Sequence, residues 1–161
     1  FTKRNDKKIA YVTQTTLSVD ETKSIIDAIK LKYSNVIEPK KNDICYATTN
    51  RQEAVKKISA KCDYFLVIGS NNSSNSLRLV EVAKNYGAKK CLLIENLNNV
   101  NTDIFNNSSS IGITASASAP EILVKNLINK LSKKFDIKLI ESSYKKEDIH
   151  FNIPKKIRGI V

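Results

Sequence analysis

The feature that most restricts the fold of this chain is an alternation of short apolar runs with longer amphipathic stretches. IAYVT (9–13), DYFLVIG (63–69), KCLLIE (90–95) and SIGIT (110–114) are rich in β-formers, and helical periodicity fills most of the intervals between them. VDETKSIIDAIKLKY (19–33) carries Ile25, Ile26 and Ile29 at helical spacing, and NRQEAVKKISAK (50–61) puts Ala54, Val55 and Ile58 on one face. SNSLRLVEVAKNYG (74–87) closes on a C-cap at Gly87, and PEILVKNLINKLSKKF (120–135) is strongly amphipathic. Strand–helix–strand order of this kind predicts an α/β fold, with parallel-sheet domains flanked by helices. NLNNVNTDIFNN (96–107) predicts loop with one short helix, DIKLIES (136–142) a strand or extended exit, and IHFNIP (149–154) a further strand. The polar segment 34–44 is the candidate domain boundary.

Charge and cysteine usage narrow the function classes. The 27 Lys and Arg outweigh the 16 Asp and Glu, for a net charge of +11. The lysines form scattered doublets rather than one helix face, and arginine, the usual reader of base edges, stands only at 4, 51, 78 and 158. The charge therefore predicts a solvated lysine surface that can steer a small anion or an acidic protein, and no nucleic-acid partner. No run of about eighteen apolar residues offers a membrane span, so no membrane partner is expected. Three irregularly spaced cysteines predict a reducing compartment rather than a disulfide framework. A first strand within about ten residues of Phe1 leads us to expect the C-terminal part of something longer. Abundant Lys, Asn and Ile point to an AT-rich genome.

Four loops share a chemistry. QTTLSVDE follows the first strand, CYATTNRQ precedes the second helix, SNNSSNS follows FLVIG, and ASASAPE follows IGIT. Each is rich in Ser, Thr or Asn and opens a helix. Ser18 with Glu21, Thr49 with Gln52 and Ser118 with Glu121 have capping-box spacing. In a parallel sheet the loops after the strands gather at the carboxyl edge, where helix N-termini present free N–H groups suited to phosphate. One such loop is explained by N-capping alone; four together point to a polyanion pocket. No dinucleotide fingerprint, P-loop or G-x-S-x-G elbow is present. His150 lies far in sequence from all four loops, and a surface or packing role is expected for it. Cys62 and Cys91 begin apolar strands and are expected as small core residues. Cys45 stands beside the hydroxyl-rich loops, where it is either a buried structural cysteine or a thiolate ligand whose partners lie elsewhere.

TQTTLSVDET (13–22), DICYATTNRQEAV (43–55), VIGSNNSSNSLRL (67–79) and GITASASAPEILV (112–124) closely resemble the 4-hydroxy-3-methylbut-2-enyl diphosphate reductase (LytB protein) family, over residues 9–154 and in the family's order. The resemblance implies a trefoil-like protein of three α/β domains, each giving one cysteine to a [4Fe–4S] cluster. It also implies reductive removal of the substrate hydroxyl to give isopentenyl and dimethylallyl diphosphate, with ferredoxin or flavodoxin as electron donor. Residues 1–43 would be the C-terminal half of the middle domain, 44–134 the third domain, and 135–161 a tail returning toward a first domain. Carried over by motif, Cys45 is a cluster ligand, and Thr15 is catalytic, contacting the substrate's reacting end. Ser73, Ser74, Asn75 and Ser118 bind the diphosphate, while Thr48, Thr49 and Asn50 support. The resemblance places the other two cysteines, the histidines and the acid-bearing glutamate in the family's N-terminal half, so these 161 residues alone are expected to be inactive. Ser116 stands where the family usually has glycine; if that position needs positive φ, serine there costs about 1 kcal/mol. The setting expected is a bacterial cytoplasm or a plastid-type organelle (an apicoplast). The rival reading is a non-catalytic phosphate-binding module or a decayed paralogue, which has no need of Cys45.

Overall fold

The structure, a computed structural model, describes residues 8–40, 43–106 and 109–141. Two parallel sheets organise them. β1 (Ile9–Ala10) pairs with β2 (Val36–Ile37) around α1 (Val19–Lys32). α2 (Tyr46–Ser59) then leads into a three-stranded sheet of order β4-β3-β5, built from β3 (Tyr64–Ile68), β4 (Lys90–Ile94) and β5 (Ile111–Ala115). α3 (Ser74–Asn85) makes the β3–β4 crossover, and α4 (Glu121–Ser132) follows β5. The α/β class with parallel sheets and flanking helices is as the sequence predicts.

The central strand explains the packing. Phe65, Leu66, Val67 and Ile68 are at most 2% exposed, the signature of a parallel strand covered on both faces. Alternation sends Phe65 and Val67 toward Val55 of α2 and Leu79 and Val82 of α3, whereas Leu66 and Ile68 pack with Leu127 and Leu131 of α4. Each such side chain contributes roughly 1.5–3 kcal/mol through burial, an upper figure because unfolded chains are themselves partly compact. Cys62 is buried and Cys91 packs against the same core, and burial raises the pKa of both thiols.

Helix ends follow local chemistry where that chemistry is complete. Ser18 Oγ accepts from Glu21 N at 3.3 Å and starts α1, with Asp20 and Glu21 complementing the N-terminal dipole. α3 ends as predicted at Gly87, whose φ is +94°. There Ala88 N–H donates to Ala83 O and Gly87 N–H to Lys84 O, the two bonds of a Schellman motif.

Other elements differ from expectation. β1 stops at Ala10, and Val12 is 86% exposed, because β propensity without a partner strand makes no ladder. The polar segment 34–44 contains β2. α2 begins four residues before the predicted Asn50, with Cys45 rather than Thr49 at its N-cap; Thr49 lies inside the helix, where its N–H and hydroxyl both donate to Cys45 O. Pro120, not Ser118, caps α4. Segment 96–107 holds two short 3-10 turns, Leu97–Asn99 and Thr102–Ile104, rather than one helix. Of the two expectations for 136–142, a strand or an extended exit, the strand is absent among the described residues, and 149–154, with His150, lie outside them.

Candidate functional site

The order β4-β3-β5 generates a crevice. β3 is followed by α3 on one face of the sheet and β5 by α4 on the other, so the two loops part at the carboxyl ends of adjacent strands. Ile68 pairs with Ala115, and Ser116 N–H donates to Ile68 O at 2.9 Å, which sets the loop after β5 beside the loop after β3. Ser73, Ser74 and Asn75 stand at the end of one of these loops, as the N-cap and first two residues of α3, and Ser118 in the other, so the sheet brings the four expected anion-binding residues to one edge.

The backbone approach there is close. A Cβ at Gly69 would lie 2.1 Å from Ser76 Oγ, so only glycine fits the turn out of β3. Ser76, fully buried, accepts from Ser70 N–H at 3.3 Å and donates its own N–H to Ser73 Oγ, the N-cap of α3. Glu95, at the end of β4, grips the loop from outside, accepting from Asn71 N–H at 2.6 Å and from its Nδ2 at 2.7 Å.

Asn75 carries the most telling observation. It is 6% exposed, yet neither its Oδ1 nor its Nδ2 has a hydrogen-bond partner among the described residues. Burying such groups unpaired costs about 1–3 kcal/mol each, and orphaned buried polar atoms are uncommon enough to call for a role. An amide held dry at a helix N-terminus, flanked by serine hydroxyls, has the donor for an anionic oxygen. Ser116 is 3% exposed, and no non-glycine residue among those described has positive φ, so the strain considered for serine at this position does not arise.

Cys45 and Thr15 meet across the two sheets. Cys45 N–H donates to Thr15 O at 3.0 Å, and Thr13 N–H donates to Asp43 Oδ2 at 2.8 Å, so the loop after β1 lies along the start of α2. α2 enters β3 through Ser59–Asp63, which puts its other end, with Cys45, toward the carboxyl edge. The Cys45 thiol is free, half-buried and makes no cap hydrogen bond; it lines an open hollow of about 480 Å³ with Asp43, Ile44, Tyr46, Thr49 and Asn50. A sulfur that the fold does not use suits one thiolate position of an iron–sulfur cluster. No group of three His, Cys, Asp or Glu side chains capable of holding a metal ion occurs among the described residues. The fit is therefore that of one ligand, not of a set.

Sequence reasoning missed three residues that shape this site: Asp43, Glu95 and Gln52. For Gln52 a signal existed. Thr48, Gln52, Val55 and Ser59 form the buried face of α2, so a glutamine stands at a core position of the helical repeat.

The description "LytB protein" belongs to a family model that matches residues 1–132. The chain is 46% identical over 155 residues to the 4-hydroxy-3-methylbut-2-enyl diphosphate reductase of Beijerinckia indica subsp. indica, covering 96% of this chain and 49% of that one. Against the enzyme of the same name from Gluconobacter oxydans it is 47% identical over 152 residues, covering 94% and 45%. Among solved structures, the E-1-hydroxy-2-methyl-but-2-enyl-4-diphosphate reductase from Plasmodium falciparum superposes with a TM-score of 0.82 at 31% identity, over 96% of this chain and 49% of that chain. The chain thus spans about half the length of the curated relatives it matches.

Proposed function

The chain belongs to the LytB protein family, and on that footing we propose that it serves as the C-terminal part of an iron–sulfur reductase acting on 4-hydroxy-3-methylbut-2-enyl diphosphate. The reaction adds two electrons and two protons and breaks the C–O bond, giving water and isopentenyl or dimethylallyl diphosphate. The supporting observation is the uncommitted Cys45 sulfur, held beside Thr15 by the Cys45 N–H···O=C Thr15 bond. A [4Fe–4S] cluster, when bound, supplies the electrons.

The chain's own residues bind and orient. Asn75 Nδ2 donates to a diphosphate oxygen and relieves its burial without a partner. Ser73, Ser74 and Ser118 add hydroxyl donors, and the α3 N-terminus adds partial positive charge without a fixed counter-charge. Thr15 presents a hydroxyl for proton transfer at the reacting end, and Cys45 provides one of three thiolates. Residues 1–43 belong to a middle domain and 44–134 to a third, a division favoured by the separate β1-β2 and β4-β3-β5 sheets; most of the tail expected over 135–161 lies outside the described residues. A net charge of +11 suits an acidic electron donor such as ferredoxin or flavodoxin. The setting is a bacterial cytoplasm or plastid-type organelle; no helix among the described residues is long and apolar enough to cross a membrane.

The test is a chimera in which this chain replaces the matched part of the Beijerinckia indica relative. A folded chimera with iron, sulfide and turnover supports the proposal, and Cys45→Ser should abolish all three. A soluble chimera that loads iron and sulfide but does not reduce the substrate overturns it, as does a competent cluster in the 161-residue chain alone.

A further inference from the structure

Gln52 is fully buried on α2, with both ends of its amide committed across the molecule: Oε1 accepts from Val19 N–H at 3.1 Å and Nε2 donates to Leu17 O at 2.9 Å. Leu17 belongs to the loop after β1 that carries Thr15, and Val19 opens α1 directly behind that loop. Seven residues, or about two helical turns, separate Gln52 from Cys45, so the two lie on nearly the same side of α2, about 10 Å apart along its axis. At the other end of that span Cys45 N–H donates to Thr15 O. The loop is therefore stitched to one rigid helix at two points, one of them the cysteine itself. A glutamine at a core position is costly unless both amide ends are paired. Here they are paired only because the loop is in place.

From this we infer that Gln52 is a positioning residue, whose buried amide sets the loop bearing Thr15 in register with Cys45 across the junction of the two sheets. Only the working roles given to Thr15 and Cys45 rest on the proposed function; the stitch itself stands on the distances. Salt bridges outside it, Lys56 with Asp20 and Arg78 with Glu21, hold the start of α1 to α2 and α3 but leave the loop before Ser18 untouched. That loop is held by Gln52, by the Cys45–Thr15 bond and by the Thr13–Asp43 tie.

The experiment uses the full 161-residue chain with Gln52→Met, which keeps length and removes both hydrogen bonds, and Gln52→Glu, which keeps an acceptor for Val19. Hydrogen exchange is followed at Val19, Cys45 and, as a core reference, Leu66 and Val67, together with alkylation of Cys45 by iodoacetamide against buried Cys62. In Gln52→Met we expect exchange at Val19 and Cys45, and alkylation of Cys45, to rise about tenfold, the scale set by losing buried hydrogen bonds, with Leu66 and Val67 changed less than about twofold. Gln52→Glu should recover part of the protection at Val19. Equal acceleration at the core amides would mean a merely structural glutamine, and unchanged Cys45 would mean that the loop is held without it; either overturns the inference. Neither readout involves a cluster or turnover, so failure of the proposed function would leave the outcome interpretable.

Discussion

Asn75 permits a prediction whose sign runs against that of most core substitutions. Its amide is 6% exposed, and both polar atoms lack partners among the described residues. Leucine has nearly the same shape and no polar atoms, so Asn75→Leu removes two uncompensated desolvation costs of about 1–3 kcal/mol each. Some of that gain is lost to imperfect packing, and we expect the variant to be more stable than the parent by about 1–3 kcal/mol. In urea this moves the midpoint upward by about 1 M for a protein of this size. Inorganic pyrophosphate should reverse the order. At one hundred times its dissociation constant it stabilises the parent by about 2.7 kcal/mol through mass action, and it should move Asn75→Leu, which keeps only the hydroxyls and the helix end, by clearly less. The assay is urea unfolding followed by circular dichroism, with and without pyrophosphate. A variant that unfolds at lower urea than the parent without the anion would refute the reasoning, since it would mean the amide is satisfied in the folded chain. A parent unmoved by pyrophosphate would refute the diphosphate assignment separately.

Gly69→Ala should destabilise by about 2–4 kcal/mol, because its methyl would fall 2.1 Å from Ser76 Oγ and 2.7 Å from Ser76 Cβ; adding Ser76→Gly should recover much of that loss in urea titrations. Gly87→Ala, at φ +94°, should cost about 1 kcal/mol, measured as a lower Tm with unchanged helix content. Asp20 is held below the ordinary carboxyl value of 3.8 by the Lys56 hydrogen bond first and that of Tyr86 second. A lowered carboxyl pKa contributes stability above the unfolded value and loses it as pH falls through the folded one. Thermal scans should accordingly show an acid-side loss below pH 3.8 that Asp20→Asn reduces; an identical acid limb in the variant would remove Asp20 from that account.

Much of the fold was legible because periodicity reports burial. DYFLVIG was legible as a strand because its consecutive apolar residues are rich in β-formers, and pairing on both sides puts it at the middle of the sheet. Gly87 was legible for a similarly local reason, since a left-handed helix end admits few other residues. Capping boxes were less dependable: of the three spacings, only Ser18 with Glu21 supplies a cap from its first residue. At Thr49 the hydroxyl turned back to Cys45 O, and Gln52, the other residue of that spacing, was drawn into a long-range contact instead.

The sequence by itself determined the class of fold, the strand over 63–69, the gathering of hydroxyl and amide residues on helix starts, and the family. These follow from short-range periodicity and from motifs whose spacing is local. Tertiary structure alone decided that Cys45 caps α2 with its sulfur uncommitted, that Asn75 is buried without partners, and that Gln52 reaches Leu17 and Val19 across 35 and 33 residues of chain. The physical reason is the same in each case. Whether a polar atom is satisfied depends on which distant backbone groups packing brings within about 3 Å of it, and no property of its neighbours in sequence carries that information.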